Sequence, residues 1–521
     1  MRGQSTALGS EDSGEPPQYL RHPGALNRPR APFSYQRRKP EESILHQVVS
    51  QNLDACLAAA QERSEHGYGY PAFVEREFKK FLDCGQLRRG FVRVKCAECP
   101  NEKLVAFSCK RRGFCPSCTA RRMSNTAAHL ESSVLPALPY RQWVLSVPRR
   151  VRILLAVDHE LLSAVLSMAL RKIFAWQKRA ARRLEIDNPM CGAIAFVQRF
   201  GSLLNLNCHY HNLLPDGVFV EFDNGEVGFR PIPPPMKEDV ERLVEQIARG
   251  TEKLIATRAG RDEGIEESGI LATEQAQSLA DRNKAACVIP WNDGPASRRQ
   301  AFHYGYSLHA ERIVNSDDRD GLEKLCRYAS RAPIANSRLS LTEDGQVVLK
   351  LKRPLHDGRR ELRFGQVEFL QKLAILIPPP HKNLTRYFGV FAPAHRHRAA
   401  VVAIGREPTD AGETIEAAEA VEPVGAAEPE EPEEPEEPVQ AAGDPDAKAK
   451  ARPGRKPTLP WAELLRRVFA IDVLKCGQCG GTMKIIAIIP ASEATEAILN
   501  HLGIDTIDNP ATGPPADASA A

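Results

Sequence analysis

An α+β fold is what this sequence predicts, on three observations. Strand-period and helix-period segments are mixed along the 521 residues without the steady alternation that marks a doubly wound sheet. Two apolar runs meet at Gly201-Ser202, which reads as an antiparallel hairpin. The chain is also too long for one core, since single cores rarely grow far beyond roughly 250 residues, so roughly two to four domains are expected. No internal repeat is detected.

Residues 1–40 lack any hydrophobic period and read as a disordered tail. The next unit, 41–135, opens with a helical lead-in. Between Glu42 and Leu82 the apolar positions Ile44, Val48, Val49, Leu53, Cys56 and Leu57 recur at helical spacing. A cysteine-rich segment, Cys84 to Cys118, and a helix through Met123 to Leu135 complete it. The long central unit, 136–404, begins with Arg141-Gln-Trp-Val-Leu-Ser-Val-Pro148, a buried strand ended by proline, and one or two basic amphipathic helices over 151–185. The hairpin follows, from Ala193 to Phe200 and from Leu203 to Leu214. Residues 236–284 look helical, His303 to His309 and Val347 to Leu351 read as short strands, and Arg319 to Ser330 as a helix. Residues 405–458 are an acidic, proline-rich linker kept extended by its charge and prolines. A small C-terminal module, 459–505, offers a helix, Cys476-Gly-Gln-Cys479-Gly-Gly and an apolar strand from Ile485 to Ile489. Residues 506–521 are again disorder-prone.

The formal net charge is only +4, but residues 407–447 hold 15 acids and no Lys or Arg. Set apart, they leave 70 basic residues against the other 51 of the 66 acidic ones, a body at +19. Such a body suits a polyanion and favours salt-dependent, sequence-independent phosphate binding. A merely soluble basic surface is the plain alternative. The sequence has no run of about 18 apolar residues and no signal-peptide pattern, so a cytoplasmic protein with no membrane partner is expected.

Thirteen cysteines in that compartment point to metal rather than disulfides. Cys96-Ala-Glu-Cys99 and Cys115-Pro-Ser-Cys118 stand 15 residues apart, the spacing of a structural zinc site in which two tight turns each present two thiolates. Cys84 and Cys109 could each replace one of these four or be small buried apolar residues, and the expected set omits them. Cys476 and Cys479 supply half a zinc shell: a degenerate site, a metal shared with another chain, or a mere turn. Lys110, Arg111 and Arg112 between the two knuckles, with Arg121 and Arg122 just beyond, are candidate DNA contacts or a solvated basic face.

Around His209-Tyr210-His211 the residues alternate in the strand period, so the two imidazoles share a face about 7 Å apart along the strand. Two imidazoles can hold one divalent ion, which could polarise a phosphodiester; surface histidines on a half-exposed strand are the commoner outcome. Mg²⁺ prefers oxygens, and an imidazole-rich site would also admit Mn²⁺. A third ligand is expected. Gln198 is the nearest polar candidate, but a two-residue turn at Gly201-Ser202 pairs it with Asn205, roughly 13 Å from His209, and it is not assigned. Among the tyrosines, Tyr328 stands out. In a helix, Leu322, Leu325, Cys326 and Ala329 form its apolar face, while Lys324 at i−4 and Arg331 at i+3 flank the tyrosine with cations that favour a phenolate and the phosphate it attacks. A boundary aromatic packed at a helix edge is the alternative. Tyr304 and Tyr387 lie in less suggestive surroundings.

The run Gln198-Arg-Phe-Gly-Ser202 through Cys208-His-Tyr-His211 closely resembles the core of rolling-circle transposases of the insertion sequence ninety-one type. The likeness extends through Arg89-Gly-Phe-Val-Arg-Val-Lys-Cys96, Arg112-Gly-Phe-Cys115-Pro-Ser-Cys118, Leu325-Cys-Arg-Tyr328, Arg363-Phe-Gly, Val390-Phe-Ala-Pro and Ile471-Asp-Val-Leu-Lys-Cys476. It implies a His-hydrophobic-His endonuclease domain, an antiparallel sheet with helices, preceded by a zinc-binding domain. On that resemblance His209 and His211 would be metal ligands, and Tyr328 would attack a single-stranded DNA phosphate to leave a 5′-phosphotyrosine and a free 3′-hydroxyl. Two-tyrosine members carry tyrosines one helical turn apart, whereas Lys324 and Ala332 stand at those places here. The same chemistry would serve a plasmid replication initiator or relaxase. A zinc-dependent DNA-binding protein with structural histidines is the non-catalytic alternative.

Overall fold

The computed structural model describes residues 39–259, 270–280, 298–355, 357–405 and 472–501, with positions 462, 465 and 466. The expected N-terminal tail up to residue 38, the linker from residue 406 and the C-terminal tail lie outside the described residues.

Two helices open the chain, α1 (Ile44–Glu62) and α2 (Ala72–Leu82). The Ser43 hydroxyl accepts the His46 amide and starts α1. Val48, Val49, Leu53 and Cys56 of the expected stripe are buried, with Leu45 added; Ile44 and Leu57 sit at its edge. A hairpin of β1 (Gly90–Cys96) and β2 (Glu102–Ala106) follows, then α3 (Pro116–Ser133). This helix starts well before Met123, because Pro116 sits at its first position with its φ already helical and no amide to satisfy.

The central part runs β3 (Tyr140–Ser146), α4 (Arg149–Val157), α5 (His159–Arg182), β4 (Gly192–Phe200), β5 (Leu206–Pro215), β6 (Gly217–Glu221), β7 (Val227–Pro231), α6 (Lys237–Ala259) and α7 (Ile270–Ala280). It continues with β8 (Gln300–His303), β9 (Tyr306–His309), β10 (Ile313–Val314), α8 (Arg319–Ala329), β11 (Leu339–Leu341), β12 (Val347–Lys350), β13 (Glu361–Phe364), α9 (Gln366–Ala374), β14 (Thr385–Gly389) and α10 (Arg398–Ala403). Beyond the linker come β15 (Met483–Pro490) and a last helix, α11 (Glu493–His501). The fold is α+β. Its main sheet is antiparallel, in the order β14-β4-β5-β3-β9-β8, with β10 on the free part of β3.

Alternation along β5 sorts its side chains between two cores. Leu206, Cys208, Tyr210 and Leu214 enter the larger core with Leu155 of α4 and Leu162, Val165 and Leu166 of α5, and the Tyr210 hydroxyl donates to the Leu162 carbonyl at 3.0 Å. The other face carries His209, His211 and Leu213. There Leu213 packs with Ile194 and Phe196 of β4 and with Leu322, Leu325, Cys326 and Ala329 of α8.

The expected two-residue turn is corrected. The β4–β5 connection is a five-residue loop, 201–205, rather than a two-residue turn: the Gly201 amide donates to the Asn205 carbonyl at 2.9 Å and Leu204 takes a left-handed φ of 53°. With a bulge between Gln198 and Phe200, Gln198 faces His209 instead of Asn205. A leucine in the left-handed region is uncommon, so nothing in its residue type announces it. In the C-terminal segment β15 pairs antiparallel with β1 and completes the sheet β15-β1-β2.

Candidate active site

The face that β5 shares with α8 gathers His209, His211, Gln198 and Tyr328. His209 Nδ1 lies 2.8 Å from the Asn207 carbonyl; a carbonyl only accepts, so Nδ1 carries the proton and Nε2 presents a lone pair. The Nε2 atoms of His209 and His211 are 3.1 Å apart. Two nitrogens about 2.1 Å from one ion and at right angles to each other would stand about 3.0 Å apart, so the spacing fits adjacent positions on a single divalent ion. The Gln142 side-chain amide lies 3.0 Å from His211 Nδ1. With its oxygen turned to the ring it would hold the Nδ1 proton and leave Nε2 free as well.

Gln198, which the sequence reading set aside, pairs with His209 and shares its face. The Gln198 Nε2 donates to the carbonyls of Tyr328 at 3.2 Å and Ala329 at 2.7 Å, in the last turn of α8. Its Oε1 is buried with no hydrogen-bond partner. A buried amide oxygen without a partner on the histidine face fits the donor set of an oxygen-preferring cation. Burial lowers His209 to about 4, and it drives His211 well below the ordinary imidazole range, assisted by His209 and Arg331. Both rings are therefore neutral near pH 7, the form that binds metal.

Tyr328 ends α8 beside this pair. Its ring centroid is 5.9 Å from that of His211, with the planes at 88°. The Arg331 guanidinium lies 5.2 Å from the centre of the Tyr328 ring and 5.0 Å from that of Phe200. Of the two flanking cations in the sequence, Arg331 reaches the tyrosine ring, while Lys324 is exposed one turn earlier. Tyr304 is solvent-exposed at the β8–β9 turn, and Tyr387 lies on β14 under the Arg398 guanidinium.

The cysteines regroup. Cys96, Cys99, Cys115 and Cys118 do not meet; Cys115 and Cys118 join Cys84 and Cys109, while Cys96 and Cys99 join Cys476 and Cys479, each set with its sulfurs within 4.8 Å of one another. The hairpin explains the split: Cys96 and Cys99 sit at its tip, whereas Cys109 follows its open end, several residues of extended strand away. In the first set Cys84 Sγ is 3.7 Å from the sulfurs of both Cys115 and Cys118, and Cys109 Sγ is 3.3 Å from that of Cys118. Four sulfurs about 2.3 Å from a tetrahedral zinc would be about 3.8 Å apart, so this donor set fits zinc. Glu77 of α2, missed by sequence reasoning, braces the loop: its Oε1 accepts the Gly113 amide at 2.6 Å, and a Cβ at Gly113 would come within 2.7 Å of that oxygen. Burial raises the Glu77 pKa, and the Gly113 amide opposes the shift.

The five cations of this segment divide as well. Arg112 is an internal brace, donating to the carbonyls of Lys382 at 2.6 Å and Pro379 at 3.1 Å. Arg121 donates to the Ser108 hydroxyl at 3.0 Å, and Arg122 donates to the Lys110 carbonyl at 3.0 Å. Lys110 and Arg122 are exposed and Arg111 is half-buried. Among the described residues no single helix is long and apolar enough to cross a membrane.

Residues 192–399 match the family described as "Putative transposase", and residues 55–147 match the transposase zinc-binding domain of the insertion sequence ninety-one type. The first match contains Gln198, His209, His211 and Tyr328, and the second contains Cys84, Cys109, Cys115 and Cys118; Cys476 and Cys479 lie beyond both. No curated protein and no solved structure matches the chain.

Proposed function

We propose, with the two transposase-family matches as the premise, that the chain nicks and rejoins single-stranded DNA at transposon ends, in the cytoplasm, through a 5′-phosphotyrosine formed on Tyr328. The observation that carries this reading is the convergence of two neutral imidazoles, an orphaned amide oxygen and a tyrosine on one face. His209 Nε2, His211 Nε2 and Gln198 Oε1 would hold a divalent ion, Mg²⁺ or Mn²⁺, whose charge would polarise the scissile phosphodiester.

Each residue then has a separate task. Tyr328 Oη attacks phosphorus, the bond from phosphorus to the 3′ oxygen breaks, the phenolic proton passes to solvent, and the departing 3′ oxygen takes a proton. Arg331, stacked beside the ring, favours the phenolate and the incoming phosphate. Gln198 Nε2 ties the carbonyls of Tyr328 and Ala329, and so fixes the nucleophile relative to the histidines. Attack of another 3′-hydroxyl on the phosphotyrosine rejoins the strand without outside energy, because the covalent link keeps the bond.

The test is a covalent adduct assay with single-stranded DNA and Mn²⁺. The wild-type protein should yield a protein–DNA adduct resistant to denaturant, and Tyr328→Phe should abolish it while DNA binding and thermal unfolding stay unchanged. An undiminished adduct in that variant would remove Tyr328 from the mechanism.

A further inference from the structure

We propose that Cys96, Cys99, Cys476 and Cys479 form a second four-thiolate zinc site, a clasp that closes the C-terminal segment onto the N-terminal zinc-binding domain across the acidic linker. Cys96 Sγ is 3.5 Å from Cys479 Sγ, and Cys99 Sγ is 3.5 Å from Cys476 Sγ. Those separations are far longer than the about 2.05 Å of a disulfide and close to the about 3.8 Å between the sulfurs of a tetrahedral zinc.

The hydrogen bonds around the sulfurs are those of thiolate acceptors. The Glu98 amide donates to Cys96 Sγ at 3.4 Å, and two residues after the last cysteine the Gly481 amide donates to Cys479 Sγ at 3.4 Å. Asn101 Nδ2 donates to Cys476 Sγ at 3.2 Å. The two turns are also built against each other: the Ala97 amide donates to the Thr482 carbonyl at 3.0 Å, and the Thr482 amide to Glu98 Oε1 at 3.2 Å. A Cβ at Gly481 would lie only 1.9 Å from Glu98 Oε2, so any larger residue there would displace the Glu98 side chain that accepts the Thr482 amide.

Neither half suffices alone. A Cys-x-x-Cys turn gives two of the four ligands that a closed structural zinc needs, and here the halves lie on opposite sides of the linker. Three small apolar clusters join them: Val92, Val94 and Cys96 with Cys476 and Met483, Val105 with Leu465 and Val473, and Leu87 and Phe91 with Leu499. Ile485, Ile486 and Ile488 of β15 remain exposed. Pairing of β15 with β1 from Gly90↔Pro490 to Cys96↔Met483 ends at the cysteines, so the ion would pin the register of the strand at that end.

The experiment uses the full chain with a specific protease site placed within residues 407–447. Metal analysis should find two zinc per chain, falling to one in Cys476→Ser/Cys479→Ser; the cobalt-substituted variant should lose about half of the thiolate charge-transfer absorption. After cleavage the two fragments should co-elute in zinc, separate on chelation, and separate without chelator in the double variant. Circular dichroism of the uncut variant establishes that it is folded. An unchanged zinc content in the double variant, or cut fragments of that variant that stay together, would overturn the clasp.

Discussion

At His209 and His211, burial turns two side chains with an ordinary pKa near 6.5 into electron-pair donors over the whole neutral range. A proton competes with metal only below the folded pKa, which for His209 is about 4 and for His211 lower than the usual range. Mn²⁺ affinity should therefore be flat from about pH 7.5 to 5.5, where an exposed pair would lose about tenfold per unit or more below its pKa. Calorimetric titration across that range checks this, and a steep decline beginning near pH 6.5 would contradict it. The same shift makes the metal-free protein less stable as pH falls from 6.5 toward 4, because the unfolded imidazoles take up protons that the folded ones refuse. Gln198 allows a sharper dissection. Gln198→Ala should weaken Mn²⁺ binding about tenfold or more. Gln198→Glu keeps an oxygen ligand but cannot donate to the carbonyls of Tyr328 and Ala329, so it should retain metal and still form less adduct. Equal adduct yields for Glu and Gln would separate metal binding from placement of the tyrosine. The histidines were legible because a strand shows its period in the residues themselves. Gln198 was not, because its place depends on the loop 201–205 and the bulge, and a one-residue difference in register decides what it faces.

Among the elements, α8 was read almost entirely from its sequence. Leu322, Leu325, Cys326 and Ala329 are the buried stripe, and Asp318 caps the helix by accepting the Gly321 amide at 2.8 Å. The helix matters twice, since one face closes the smaller core and its last turn delivers Tyr328 to His211. Leu325→Ala should cost about 2–5 kcal/mol by opening a cavity in that core, whereas Lys324→Ala on the exposed side should change stability by about 0.5 kcal/mol or less. Denaturant unfolding measures both, and similar small losses would mean that α8 is not held by this stripe. The β1–β2 hairpin was less legible. The spacing of its cysteine pairs is compatible with one site, and only the paired strands show that Cys96 and Cys99 are carried away from Cys115 and Cys118 to the hairpin tip. Cys84 was weighed and left out of the expected set for the same reason: it follows α2 and meets the others only in three dimensions.

For the whole molecule, local patterns mark out segments but not which distant segments pair. Nothing around Ile485 to Ile489 says that this strand joins Gly90–Cys96, and Cys476 and Cys479 read as half a zinc shell or a mere turn, with no partner within the chain indicated. Charge is the property that the sequence states most openly at this scale: a body at +19 is tethered to a run of 15 acids in residues 407–447. A tethered polyanion would act at high effective concentration on a basic surface and would compete there with DNA phosphates. Replacing those acids by Gln and Asn keeps the length of the tether and removes the competitor. The neutralised protein should bind non-specific single-stranded DNA more tightly at 50 mM salt, the advantage should shrink by 200 mM, and its plot of log affinity against log salt should be steeper. Fluorescence anisotropy over that range measures both quantities. Coincident plots for the two proteins would show that the acidic segment stays clear of the DNA-binding surface and that its charge serves some end other than competition.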